Sequence, residues 1–167
     1  MNESKTILDG VGASLEQATR EVFETMVFMT AEKVGETGGA MVLDEDEVIA
    51  SLGFTGTHPG VLVTGSGLEA SRSVTANMLG MEPGEIGDDG EVCDAMGEIA
   101  NMIAGNVKNA FIDQGLEMEI AVPSVSVGKR ADDQQESGTE LFGHRLDFML
   151  EGEHPFTVEI RFQKDRG

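Results

Sequence analysis

Apolar and polar positions along this chain recur with two periods, and the periods divide it into helices and strands. Over residues 14–30, Ala18, Val22 and Met26 return at helical spacing with Phe23 beside them. That pattern predicts an amphipathic helix. Ser14 followed by Gln17 has the form of a capping box and sets its expected start. Short strands are expected near 32–35 and 47–56, and a further one over 61–64. A second helix is expected over 67–80, then a turn-rich connector over 81–90. A long helix covers about 90–114 and stops at Gly115, a good C-cap residue. Strands follow at 117–127, 143–151 and 156–162, the last two joined by a hairpin-like loop at 152–155. Residues 128–138 are polar throughout and read as a loop.

The long helix is the informative element. Each helical residue advances about 100°, so Glu98, Asn101, Gly105 and Lys108 all return to within roughly 40° of Asp94. Ile99, Ile103, Val107 and Ala110 gather on the opposite side. A buried stripe therefore carries a polar one that includes a carboxylate, a carboxamide and a glycine. An ordinary solvated face favours Glu, Lys, Gln and Arg. Asn and Gly are poor helix formers, so their presence requires a reason.

The spacing Asp94-x3-Glu98-x2-Asn101, with Pro123 twenty-two positions later, resembles the signature of the CheC/CheX/FliY family of CheY-phosphate phosphatases. The run from Gly97 to Asn106, with Lys108, is most similar to the CheX branch. The resemblance implies an α+β, CheC-like fold, with two long helices packed on a largely antiparallel sheet. It implies hydrolysis of the aspartyl phosphate on a phosphorylated CheY-type response regulator. The Asn101 carboxamide would hold a water in line with phosphorus, and Glu98 would pair with the partner's active-site lysine. Asp94, Gly105 and Lys108 would belong to the partner-binding face, with Gly105 allowing close approach. Pro123 would set a strand edge beside the helix. Magnesium would come from the partner, so no cofactor or metal bound by this chain is expected. The CheX branch further implies a homodimer with one active helix per subunit.

The two halves of the chain look like a duplication within one domain spanning 1–167. A degenerate repeat over 14–80 aligns with an active repeat over 88–163, so that Glu21 falls on Glu98 and Glu24 on Asn101. A carboxylate at the second position would repel a phosphoryl group. The first copy is therefore expected to be catalytically silent.

Charge narrows the field. The chain has 167 residues with 31 acidic and 11 basic side chains, a formal charge of −20. Nucleic acids and anionic membrane surfaces call for a cationic footprint that this composition lacks. No apolar run approaches the ~18 residues of a membrane span. The N-terminus lacks a signal-peptide pattern, so a cytoplasmic location is expected. The single cysteine, Cys93, excludes an intramolecular disulfide. It lies off the polar stripe and reads as a packed thiol.

Several motifs resemble chemistry without supporting it. Val61 to Ala70 has the outline of a dinucleotide-binding turn, but no further βαβ unit follows. It reads as a tight turn that uses glycine torsions. The acidic run 44–47 does not match a calcium loop. His58, His144 and His154 have no ligand spacing, and the methionines read as core filler. The alternative functions are a non-catalytic module that sequesters a phosphorylated regulator, a flagellar-switch component and a small-molecule enzyme built on the glycine turn.

Overall fold

The computed structural model describes residues 2–38, 48–128 and 141–163. Helix α1 (Asn2–Val22) widens at its end into a π-turn, Phe23–Val27. Strands β1 (Ala31–Gly38), β2 (Val48–Gly56) and β3 (Gly60–Ser66) follow. Helix α2 (Leu68–Leu79) and a short 3-10 turn (Pro83–Glu85) lead to helix α3 (Asp89–Asp113). The remaining described elements are β4 (Met118–Ile120), β5 (Ser124–Val127), β6 (Leu141–Leu150) and β7 (His154–Gln163).

The described strands form one antiparallel sheet in the order β1-β6-β7-β3-β2, with β4 and β5 both on the free side of β2. The order is symmetric. Exchanging β1, β2 and β3 for the β4/β5 edge, β6 and β7 gives the same sequence of strands read from the other end. In each half, therefore, a helix precedes one edge strand and two central ones.

The three α-helices of the described residues cover one face of this sheet. Val11, Leu15, Ala18 and Val22 of α1 share a core with Ile99, Ile103 and Val107 of α3 and with Leu62, Val158 and Ile160 of the central strands. Phe23 meets Phe156 edge-on at 4.8 Å, and Phe111 stacks on Phe162 at 6.1 Å. The long helices are thus anchored at opposite ends of β7. The other face is mixed. Ile49 and Val63 are buried there, and the buried Glu159 carboxylate lies 2.8 Å from the Arg161 guanidinium.

Helix α3 has strong stops at both ends. The Asp88 carboxylate accepts from the Glu91 N–H at 3.1 Å. At the other end Gly115 turns left-handed (φ +81°). Gly115 N–H then donates to Ile112 O and Leu116 N–H to Phe111 O, at 2.9 Å each. This is a Schellman closure at the residue where the sequence expected the helix to stop.

Several expectations need correction. The first helix begins at Asn2, not Ser14, so Ser14 and Gln17 cap nothing. The apolar stripe runs one turn further back through Val11, and packing carries the helix across Gly10 and Gly12. A Cβ on Gly12 would stand 2.9 Å from His144 Nε2, so glycine lets α1 close on β6. Met26, expected on the buried stripe, is 47% exposed, whereas Val27 is fully buried. The π-turn inserts one extra residue per turn, so the stripe steps from Val22 to Val27.

The strand expected over 117–127 is two strands. Ala121 N–H still donates to Gly53 O at 2.8 Å, but Pro123 has no N–H to continue the ladder. The turn at Gly65 and Gly67 uses no special torsion. Gly67 caps α2 with φ −71°, which any residue can adopt. Ser71 explains the tightness instead, with its hydroxyl 2.6 Å from Ser66 Oγ and 2.9 Å from Gly67 O. The acidic run 44–47 and most of the loop at 128–138 lie outside the described residues.

Candidate functional site

Helix α3 lies across the interrupted edge of the sheet, and a groove of about 560 Å3 opens between them. One wall is the polar stripe of the helix, with Asp94, Glu98 and Asn101. The other is the chain at the strand break, from Ile120 to Pro123, with Val125 beyond it. Asp94 and Glu98 are exposed and Asn101 is half-buried. Glu98 and Asn101 stand one helical turn apart on the same lip, a consequence of their i, i+3 spacing.

Gly97 sets the depth of the groove. It is buried. A Cβ at this position would approach Val125 Cγ2 to 3.2 Å and Pro123 Cγ to 3.8 Å. The missing side chain lets the helix settle against the strand break. Gly97 escaped the sequence reading because it lies off the polar stripe and its neighbours are distant in sequence. The apolar wall escaped for the same reason, although Pro123 had marked a strand edge.

Gly105 and Lys108 continue the stripe beyond the groove. A Cβ on Gly105 would meet nothing within 4 Å, so internal packing places no demand for glycine there. Lys108 Nζ is 3.7 Å from the Glu119 carboxylate of β4, and that carboxylate is 80% exposed. Such a contact contributes little to stability. Cys93 lies half-buried at one end of the groove. Burial pushes its thiol up from the usual value of 9.0, and Asp89 and Asp94 add to the shift. It is a packed thiol and not an activated nucleophile.

The aligned positions in the first half differ in geometry. Glu21 lies in the last α-helical turn of α1, whereas Glu24 lies inside the π-turn. Both border a second depression, with Glu16 and Arg20 beside them. Arg20 meets Glu16 at 3.1 Å. Among the described residues no three His, Cys, Asp or Glu side chains cluster closely enough to hold a metal. His58 rests edge-on near Phe162, and His144 faces Glu36 at 3.0 Å. In the described residues no helix is long and apolar enough to cross a membrane.

Three helices on one antiparallel sheet, with a polar stripe on the third, define the CheC-like class of α+β proteins. Residues 48–143 match the family of the chemotaxis phosphatase CheX, and the chain belongs to that family. The CheX chemotaxis protein of Desulfovibrio desulfuricans has the same fold, with a TM-score of 0.78, 24% identity, and coverage of 91% of this chain and 98% of that one. The CheX–CheY complex of Borrelia burgdorferi, with beryllofluoride and magnesium, contains a chain similar at a TM-score of 0.71 and 19% identity, covering 92% and 98%. FliY of Thermotoga maritima is similar at 0.71 and 14%, covering 98% and 91%. No curated protein matches the chain.

Proposed function

We propose that this chain hydrolyses the aspartyl phosphate of a phosphorylated CheY-type response regulator, with one site per chain. The observation that carries the reading is the shared groove lip, where an exposed carboxylate (Glu98) and a carboxamide (Asn101) stand one turn apart on a helix free to enter a partner. Family membership and the Borrelia burgdorferi complex support the choice of partner.

The chemistry asks little of the protein beyond placement. A water oxygen bonds to phosphorus as the bond from phosphorus to the aspartyl oxygen breaks. Inorganic phosphate and a free carboxylate result. The transition state is loose, so no strong base is needed and positioning dominates. The Asn101 amide both donates and accepts, so it can orient the water without adding charge. A carboxylate there would face the phosphoryl group with like charge, at a cost of about 4 kcal/mol per charge pair at 4 Å for an effective dielectric near 20. Glu98 pairs with a partner lysine and sets the docking register. Asp94 borders the rim, Gly105 admits the partner's backbone and Lys108 ends the contact face. Magnesium belongs to the partner's phosphorylation site, and no step is assigned to a metal on this chain.

The symmetric strand order supports reading 14–80 as a degenerate repeat. The Glu24 carboxylate within a π-turn supports its silence. The CheX resemblance further leads us to infer a homodimer, checked by sedimentation equilibrium.

The test is loss of acyl phosphate from a magnesium-loaded CheY-type regulator. Wild type should accelerate it, Asn101→Ala should abolish the acceleration, and Glu24→Ala should leave it intact. Binding of the phosphorylated form without acceleration would instead identify a sequestering module.

A further inference from the structure

The rim of the α3 groove carries an apolar side chain that the hydrolysis does not use. Val122 is 87% exposed, more than any other large apolar residue among those described. A lone exposed valine is ordinary on a protein surface. This one, however, lines the groove opposite Glu98 and Asn101, and its backbone is held on both sides. Ala121 N–H is tied to Gly53 O at 2.8 Å. Pro123 fixes its own torsion and reaches toward Gly97. A side chain on a pinned backbone loses little freedom when a partner covers it.

The groove also has a polarity. Asp94 and Glu98 make its helical wall acidic, the strand-break wall is apolar, and among the described residues no Lys, Arg or His lines it. The complementary occupant presents a cation toward α3 and an apolar side chain toward Val122. Building on the phosphatase reading, we propose that residues 121–123 form a docking ledge for the response regulator. Val122 is buried against an apolar residue beside the regulator's phosphorylated aspartate. The ledge sets affinity and leaves the chemical step to Asn101.

The probe is a CheY-type regulator loaded with magnesium and beryllofluoride, with binding followed by calorimetry and turnover measured in parallel. Losing the burial of one valine corresponds to roughly a 10–100-fold weaker complex. Val122→Asp should weaken binding and raise KM by at least that factor with kcat within about twofold, because the carboxylate would be buried unpaired against the regulator's apolar side chain while Asn101 is untouched. Val122→Leu should bind as wild type. Asn101→Ala should show the opposite split, with kcat lost and binding kept. Because Val122 is so exposed, its variants should melt like wild type; Val122→Thr, nearly isosteric, gives the same direction if the aspartate variant misfolds. Val122→Asp binding as tightly as wild type would overturn the ledge while leaving hydrolysis standing. A wild-type protein that binds without hydrolysing would refute the phosphatase reading, yet the loss of binding in Val122→Asp would still uphold the ledge. A wild type that fails to bind removes both.

Discussion

Two glycines in α3, eight positions apart, should respond in opposite ways to the same substitution. Replacing a helix-interior glycine by alanine gains about 0.8–1.0 kcal/mol from backbone propensity. At Gly105 the new methyl meets nothing within 4 Å, so the whole gain should appear. For a chain of 167 residues, that raises Tm by about 2–4 °C. At Gly97 the methyl would lie 3.2 Å from Val125 Cγ2, whereas carbon atoms prefer about 3.5–4.0 Å. Overpacking of this kind costs about 1–3 kcal/mol, which cancels or reverses the gain. Gly105→Ala should therefore melt at least about 2 °C above Gly97→Ala. The chain has no Trp or Tyr, so far-UV circular dichroism is the natural probe. Activity should move the other way for Gly105→Ala: a more stable protein that dephosphorylates the regulator more slowly, because the methyl stands where the partner approaches. Equal rises in Tm at both sites would refute the tight contact between α3 and β5. A fall at Gly105 would refute the open face.

Phe28 holds a left-handed backbone (φ +61°) while 72% exposed. Phe28→Gly should relieve about 1–2 kcal/mol of steric cost, less about 0.4–1 kcal/mol of added unfolded-chain entropy, and so raise Tm slightly in the same melt. The Lys33 ammonium, at 2.8 Å, is the main cause holding the Glu36 carboxyl below its ordinary 4.5, with His144 helping. A folded value below the unfolded one means stability that is present above pH 4.5 and lost as pH falls through the folded value. Glu36→Gln should thus be less stable than wild type at neutral pH, by a small margin because the pair is exposed. The gap should close in acid, as read from denaturant midpoints across pH. Because burial and the Asp89 and Asp94 charges raise the Cys93 thiol, iodoacetamide should label it more slowly at pH 8 than a free thiol. Asp94→Asn should speed that labelling.

Half of the candidate site is legible in the residue pattern alone. Glu98 and Asn101 stand side by side because i and i+3 must do so on any α-helix, and Gly115 announced where that helix stops; the Asp88 cap that starts it became visible only in the structure. The first helix was less legible. Its periodicity failed at one residue, where the π-turn turned Met26 outward and Val27 inward. Nothing in the residue pattern signals a π-turn, since it follows from how Phe23 and Val27 seat in the core. Gly97 was also hidden, because its reason for being glycine lies in Val125, twenty-eight residues away.

What the sequence alone determined about this protein is the helical polar stripe and the buried stripe behind it. Both follow from hydrogen bonds between residues four apart and from a fixed rotation per residue. The tertiary structure alone decided what faces that stripe. The strand order and the apolar wall carrying Val122 depend on pairings such as Phe54 with Ile120 and Ala50 with Val125. Those partners are far apart along the chain, and local pattern carries no record of which strand a given edge will meet.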